Sequence, residues 1–441
     1  MRAHLSNAAY GLLDYGAYPV GMLVVAPMML RNLGMAEYGI WTVATVAVST
    51  GGIIASGFGD ANIQHVASRR GQGDCNALVS AVQSMMGINL VLGVTCAVVG
   101  WMLSPFIAAH VTATDVRLQN ACLWSLRIAS VLMAVRAVES VCISTQRAFE
   151  RYGAAVRISI FARLLALIVT AGLTFLSNNI VITMAVTALF MTAGLWMQLG
   201  KLKSLLSARS LAPAFNRDAT QALFDFGIFS WLQAVSGVVF NQLDRLLLGV
   251  SLGAVAVASY ALCAQMAQPI FGFAAAGLHF LFPYLSNRSA TSDTQSLKDA
   301  VLIAFACNLA FVVVTTGGLL LFGDHILHIW AGPTIAQNAA TVLNKIIWSS
   351  GLLGLNVTAT YTLLALGRVR IVTVLNLAAG AAMMFAMLRL APRMGIQGIA
   401  DAKLIYSLIP LLLYIPLARV LFSKRSLRVA TATLQPVCEE R

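Results

Sequence analysis

The stretch Leu30-Arg-Asn-Leu-Gly34-Met-Ala-Glu-Tyr38-Gly39-Ile-Trp41 separates two long apolar runs near the N-terminus. The runs on either side, 8–30 and 38–61, are each long enough to cross a hydrocarbon core of about 30 Å as a helix that rises about 1.5 Å per residue. Gly34 and Gly39 can adopt the backbone angles of a tight turn, and Tyr38 and Trp41 are amphipathic rings suited to the headgroup layer. The stretch therefore predicts a helical hairpin in a membrane.

The composition of the whole chain agrees with a membrane protein. Hydrophobic residues make up 59% of the 441 residues and charged residues only 10%, whereas soluble domains contain roughly half and a quarter. Backbone polar groups must be paired within lipid, and continuous apolar runs without alternation indicate helices rather than a barrel. The basic residues behind the net charge of +13 lie mainly in alternate loops, which argues against nucleic acid as a partner.

The apolar runs predict an all-α membrane protein with about twelve transmembrane helices. The predicted spans are 8–30, 38–61, 77–104, 119–145, 158–176, 181–200, 222–249, 255–285, 300–322, 341–366, 371–388 and 397–420. With the N-terminus placed inside, the inner segments carry eighteen Lys and Arg residues and the outer segments only four. Because basic residues favour the cytoplasmic side, both termini are predicted to be cytoplasmic.

The two halves of the chain resemble each other. Leu13-Asp14-Tyr15-Gly16 matches Phe224-Asp225-Phe226-Gly227, and Leu33-Gly34 followed by Tyr38 matches Leu252-Gly253 followed by Tyr260. These matches predict an N-terminal six-helix lobe at 1–203, a basic cytoplasmic linker at 204–221, and a C-terminal six-helix lobe with a short cytoplasmic tail at 222–441. Because six spans give both halves the same orientation, we expect a pseudo-twofold axis along the membrane normal and a central cleft.

Three short motifs give the chain a family resemblance. The Leu33-Gly34-x3-Tyr38-Gly39-x-Trp41 turn, the run Asn241-Gln-Leu-Asp244-Arg245-Leu-Leu-Leu-Gly249 and the turn Leu366-Gly367-Arg368 resemble the Wzx-type polysaccharide or O-antigen flippases. These flippases belong to the multidrug, oligosaccharidyl-lipid and polysaccharide exporter superfamily.

That resemblance implies a function. It implies a flippase that moves undecaprenyl-pyrophosphate-linked oligosaccharide repeat units from the cytoplasmic to the periplasmic leaflet of a bacterial inner membrane, by alternating access, for exopolysaccharide or other surface polysaccharide synthesis. The partners it implies are this lipid-linked substrate, membrane lipid, a polysaccharide polymerase and a chain-length regulator.

Charged residues inside the predicted spans are the candidates for substrate binding, because such residues are costly in lipid. Arg136 and Glu139 share one face of span 119–145, so a salt-linked pair is one interpretation and phosphate binding the other. Arg127 points to the opposite side and has no partner predicted in its own helix, which favours exposure to a water-filled cavity. Arg163 either snorkels to the inner headgroups or binds substrate. Arginine forks two hydrogen bonds to phosphate, so all three arginines are pyrophosphate candidates.

Acidic residues are the candidates for coupling or gating. Asp14 and Asp225 occupy equivalent places in the two halves and could form latches to arginines, bind a coupling proton or sodium ion, or simply lie at the cytoplasmic interface. Asp60 lies near the inner end of the second span, and Glu139 lies mid-membrane. Asp244 and Arg245 lie toward the outer end of the seventh span, where a local ion pair or an outer gate is expected. No cofactor is predicted beyond a coupling H+ or Na+.

Other classes of function find less support in the sequence. There is no Gly-x4-Gly-Lys-Ser/Thr phosphate loop and no loop long enough for an extramembrane catalytic domain, so the chain is expected not to be an enzyme. Asp324-His325-x2-His328, placed on an outer loop, lacks a third strong metal ligand. An ion-coupled multidrug antiporter of the same superfamily is the main alternative. A membrane polysaccharide polymerase or ligase is the other, although such enzymes generally need a sizeable outer loop.

Overall fold

The computed structural model of the chain is mostly helical in its described residues. It describes residues 2–56, 58–59, 62–63, 66, 70, 75–112, 115–149, 152–177, 179–208, 210–215, 231–232, 242, 244–278, 285 and 294–422. No strand occurs within these ranges. The described backbone therefore agrees with the all-α prediction.

The helices follow the apolar runs of the sequence. In chain order they are α1 (Arg2–Ser56), α2 (Cys75–Val111), α3 (Val116–Ala148), α4 (Tyr152–Leu176), α5 (Ile180–Leu206), α6 (Ala254–Leu278), α7 (Thr294–Ala331), α8 (Pro333–Ala365), α9 (Val369–Met394), α10 (Ile396–Leu408), a 3-10 helix (Ile409–Leu413) and α11 (Tyr414–Phe422). Residues 244–252 are also helical. Pro410 lies in the 3-10 segment, where a missing backbone donor interrupts the last predicted span.

Eight helical segments of the described chain are long and apolar enough to cross a membrane. The first of them, Tyr18–Ser56, belongs to α1, whose two arms correspond to the predicted spans 8–30 and 38–61. Helices α3 and α8 coincide with two further predicted spans; α3 is less apolar because it carries four arginines and one glutamate. The predicted span 222–249 lies largely outside the described residues. The described helices thus match eleven of the twelve predicted spans.

The chain folds into two compact units, Met1–Ala261 and Leu262–Arg441. The predicted lobes have other limits, because they rest on the repeat in the sequence rather than on compactness. Most residues between 216 and 243 lie outside the described part of the chain. The division into 1–203, 204–221 and 222–441 therefore stays a prediction.

The predicted turn at Gly34 is a sharp joint between the two arms of α1. Gly34 has φ 81° and ψ 172°, and the residues on both sides of it are helical. Gly253, its counterpart in the second half, has φ 84° between two helical segments. Positive φ favours glycine strongly. The equivalent tyrosines, Tyr38 and Tyr260, are both fully buried. The two matching joints support the internal repeat.

Three residues of the same stretch have roles that differ from the prediction. Tyr38 and Trp41 are buried and stack on each other with ring centroids 5.8 Å apart, so they face the protein interior rather than headgroups. Gly39 lies within the second arm of α1 and forms no part of the turn. A Cβ atom there would lie 2.6 Å from the carbonyl carbon of Ala254, and closer still to its oxygen. Gly39 therefore allows α1 to touch the backbone at the start of α6.

Glycines also set how closely α3 packs against its neighbours in the first unit. A Cβ on Gly52 of α1 would lie 3.1 Å from the Cβ of Arg136. A Cβ on Gly93 of α2 would lie 2.7 Å from the Cβ of Ala137. Small residues permit this close approach between helices in a membrane. The charged helix α3 is thereby held between α1 and α2.

Candidate substrate-binding site

A group of polar side chains from three helices of the first unit forms the candidate site. It consists of Tyr18 on α1, Arg136 and Glu139 on α3, and Ser159 and Arg163 on α4; we call it the arginine cluster. Ser159 and Arg163 are four residues apart and share one face of α4. The close packing at Gly52 brings α1 against the stem of Arg136. Two predicted candidates from span 119–145 thus lie together, and Arg163 from span 158–176 lies one turn from Ser159, which contacts Glu139.

The predicted ion pair between Arg136 and Glu139 is present in the structure. An Arg136 Nη atom lies 2.6 Å from Glu139 Oε2, with the Glu139 side chain 5% exposed and that of Arg136 27% exposed. The Ser159 hydroxyl donates to Glu139 Oε1 at 3.4 Å. Both carboxylate oxygens therefore have a donor, as a buried charge requires. The pair orients the guanidinium of Arg136 within the cluster.

Tyr18 and Arg163 are the remaining members of the cluster. Tyr18 lies within electrostatic range of Arg163 and of Arg136. Arg163 is half-buried, while more than a third of the Tyr18 surface is exposed. The cluster holds two guanidinium groups and one carboxylate, so it carries a net positive charge if all three are ionised. Such a site favours an anion that accepts several hydrogen bonds.

Arg127 occupies a different place from Arg136, as their spacing predicts. Its guanidinium lies 4.9 Å from the ring centroid of Trp101 on α2 and 5.1 Å from that of Trp124 on α3. The prediction that Arg127 lacks a partner in its own helix is therefore wrong, because Trp124 is one turn earlier on the same face. Both tryptophans are exposed on the surface of the unit. No contact among the described residues tests the phosphate-binding role that the sequence predicts for Arg127, and its position over the two rings favours a structural role instead.

We expect Arg127→Ala to affect stability more than transport. A guanidinium over an aromatic face contributes about 0.5–2 kcal/mol, so the unfolding temperature of the purified protein should fall modestly while export continues. Thermal unfolding and an export assay on the same variant check this. Loss of export at an unchanged unfolding temperature would instead assign Arg127 to the substrate.

The structure describes the surroundings of only some of the acidic candidates. Asp244 is buried, and its carboxylate accepts hydrogen bonds from the Tyr260 hydroxyl and the Arg245 backbone N–H, each at 2.8 Å. The carboxylate thus contacts the Arg245 backbone, while a local ion pair or an outer gate at Asp244 and Arg245 stays a prediction. Asp14 lies in α1, but its side chain is outside the described part, and Asp60 and Asp225 fall outside it entirely. Coupling and gating roles for these residues stay predictions.

An ion pair in the second unit was not predicted. Lys345 Nζ on α8 lies 2.6 Å from Asp401 Oδ1 on α10, with each side chain less than a third exposed. Nearby, the Ser349 hydroxyl donates to the Lys403 carbonyl at 3.2 Å. Lys345 and Asp401 both lie near the ends of predicted spans, and this is the signal that could have identified them.

The motif Asp324-His325-x2-His328 lies within the last two turns of α7, so the prediction of an outer loop there is wrong. The apolar helix simply continues past residue 322, to Ala331. Within the described ranges, no three or more His, Cys, Asp or Glu residues are grouped closely enough to hold a metal ion.

Comparison with known protein families matches residues 7–288 to the family described as polysaccharide biosynthesis protein. The chain belongs to that family. Among curated proteins, this family member is similar to the probable low-salt glycan biosynthesis flippase Agl15 of Haloferax volcanii, with 22% identity over 142 residues. The match covers 32% of this chain and only 30% of Agl15.

Solved structures share the fold of this polysaccharide biosynthesis family member. The lipid II flippase MurJ in an inward closed conformation matches with a TM-score of 0.75 and 12% identity, over 96% of this chain and 90% of MurJ. An inward-facing multidrug resistance transporter of the MATE family matches with a TM-score of 0.68 and 14% identity, over 96% of both chains. These matches confirm the predicted fold class of an all-α, two-lobed membrane protein with about twelve helices. Together with the long apolar helices, they show a multi-pass membrane protein.

Proposed function

We propose that the protein flips undecaprenyl-pyrophosphate-linked oligosaccharide units from the cytoplasmic to the periplasmic leaflet of a bacterial inner membrane, with both termini in the cytoplasm. Family membership supports polysaccharide biosynthesis as its setting. Two similar proteins are named as flippases, one of glycan biosynthesis and one of lipid II. In this setting a polymerase and a chain-length regulator would act on the exported units.

The observation that carries the proposal is the arginine cluster. A pyrophosphate that enters a membrane protein loses water and needs several donors in exchange. Arg136 and Arg163 reach the cluster from two different helices, and both can fork hydrogen bonds to phosphate oxygens. Glu139 engages Arg136 through one Nη atom, which leaves other N–H groups of that guanidinium for the substrate. The sugars would follow the headgroup while the lipid tail stays in hydrocarbon.

Glu139 is our candidate for coupling to protons. The carboxylate and the phosphate would use different N–H groups of Arg136, but both are anions attracted to the same positive charge, so they compete electrostatically for that guanidinium. A proton on Glu139 would weaken its hold on Arg136 and favour phosphate binding. Transport requires the substrate or the coupling ion to bind the inward and outward states with different affinity, and this competition provides one such difference.

Arg163→Gln tests the proposal in a strain depleted of the chromosomal protein. Removing a charged hydrogen bond of about 1.5–3 kcal/mol should lower export by roughly 10- to 100-fold. We expect lipid-linked oligosaccharide to accumulate in the cytoplasmic leaflet while surface polysaccharide declines. Arg157→Gln is the matched control, because Arg157 lies on the same helix, is exposed, and donates to the Gly153 carbonyl.

Equal export by the wild-type and Arg163→Gln proteins, at equal membrane levels, would show that Arg163 does not bind the substrate. Unaltered surface polysaccharide in the depleted strain, without a second flippase, would overturn the flippase function itself. Sensitivity of that strain to cationic drugs would favour the antiporter alternative. The net positive charge of the cluster disfavours this outcome, because a cationic drug is repelled there.

A further inference from the structure

An apolar groove in the second unit lies between α6 and α7. Its volume is about 490 Å³, within the range of roughly 300–1,000 Å³ common for ligand sites. The wall includes Phe273 and Gly277 from α6 and Ile303, Ala304, Cys307 and Phe311 from α7. Among the residues that the structure describes, no charged side chain contributes to this wall. The groove therefore suits a hydrocarbon ligand rather than a headgroup.

Asn308 also belongs to this wall, but its side-chain amide contacts α8. Its Nδ2 donates to the Gly354 carbonyl at 2.9 Å and to Thr358 Oγ1 at 3.1 Å, both on α8. Phe273 is 52% exposed and Ile303 64% exposed, so the groove is open at the surface of the unit. Exposed apolar side chains continue along α7 at Val313 and Val314. The groove is thus continuous with a surface of the kind that contacts lipid.

We infer that this groove holds part of the isoprenoid tail of the lipid-linked substrate, an inference that rests on the proposed function. Gly277 leaves open space beside α6, since a Cβ there would meet no atom within 4 Å, while Phe273 and Phe311 supply ring surface. Hollows of this kind accept the methyl branches of an isoprenoid. In the predicted orientation, the end of α6 and the first half of α7 lie toward the cytoplasmic leaflet, where the substrate is loaded.

The test uses the full-length protein in nanodiscs of phosphatidylethanolamine and phosphatidylglycerol, with a diazirine-bearing undecaprenyl phosphate as the probe. After illumination, we expect the label on peptides from α6 and α7, and we expect unlabelled undecaprenyl phosphate to compete it away. Gly277→Leu should lower this labelling by about tenfold, because its side chain displaces several chain carbons, each worth a factor of about three to four in affinity.

Gly272→Leu is the matched control. Gly272 lies on the same helix, does not belong to the groove wall, and also has no atom within 4 Å of its Cβ position. The Gly272→Leu variant should take up as much label in the groove as the wild-type protein. Cys307→Trp fills the groove from α7, where the side chain is exposed, and serves as the second test if Gly277→Leu does not fold.

Two results would overturn the inference. One is equal labelling of the groove by a diazirine phospholipid, without competition by undecaprenyl phosphate, because this would indicate nonspecific lipid contact only. The other is full labelling of both groove-filling variants. Labelling is independent of export, so an export defect without groove labelling would reject the groove alone. Groove labelling without an export defect on depletion would reject the flippase function alone.

Discussion

Gly39→Ala is expected to destabilise the protein strongly. The new methyl group would lie 2.6 Å from the Ala254 carbonyl carbon, and a backbone atom has little room to yield. Overpacking of this kind costs about 1–3 kcal/mol or more. We expect a lower unfolding temperature for the purified protein in detergent, followed by intrinsic tryptophan fluorescence, together with a lower yield from membranes.

Gly172→Ala is the control for Gly39→Ala. Gly172 lies in α4, and a Cβ there would meet no atom within 4 Å. Because alanine favours helices over glycine by up to about 1 kcal/mol, this variant should unfold at the same or a higher temperature. Matching unfolding temperatures for the two variants would show that the contact between Gly39 and Ala254 contributes nothing to stability.

Arg136→Gln has the second large expected effect. It leaves Glu139, whose side chain is only 5% exposed, without its guanidinium partner. Breaking a buried pair by removing one partner costs about 3–5 kcal/mol, mostly because the other charge remains buried. We expect low yield and a reduced unfolding temperature, measured as for Gly39→Ala.

The double variant with Arg136→Gln and Glu139→Gln separates folding from transport. It removes both charges, so most of the fall in unfolding temperature caused by Arg136→Gln alone should be reversed. Export should stay impaired, because phosphate loses one of its two guanidinium donors. Recovery of export along with stability would assign Arg136 to structure alone.

The sequence predicts contacts within one helix or between repeats better than contacts between distant helices. Three-residue spacing on one face was sufficient to predict the pair of Arg136 and Glu139. The repeat predicted that Gly34 and Gly253 would occupy equivalent joints. The contact between Trp101 and Arg127 depends on the register between α2 and α3, and no local sequence pattern specifies that register.

The same limit explains why the sequence does not predict the contacts of Tyr38 and Lys345. An aromatic residue near the end of a span fits both the headgroup layer and a buried interface, and only packing against other helices distinguishes the two. Lys345 and Asp401 are 56 residues apart in the sequence. Their ion pair needs α8 and α10 to be neighbours, which hydropathy does not reveal.

The joint at Gly34 also bears on how the protein enters the membrane during synthesis. A single residue of non-helical backbone connects the two arms of α1, so there is no separate loop to be carried across between them. Both arms are helical, so their backbone groups pair mainly within each helix, as lipid demands. The two arms should therefore leave the insertion machinery together, and the orientation taken by the first arm dictates that of the second.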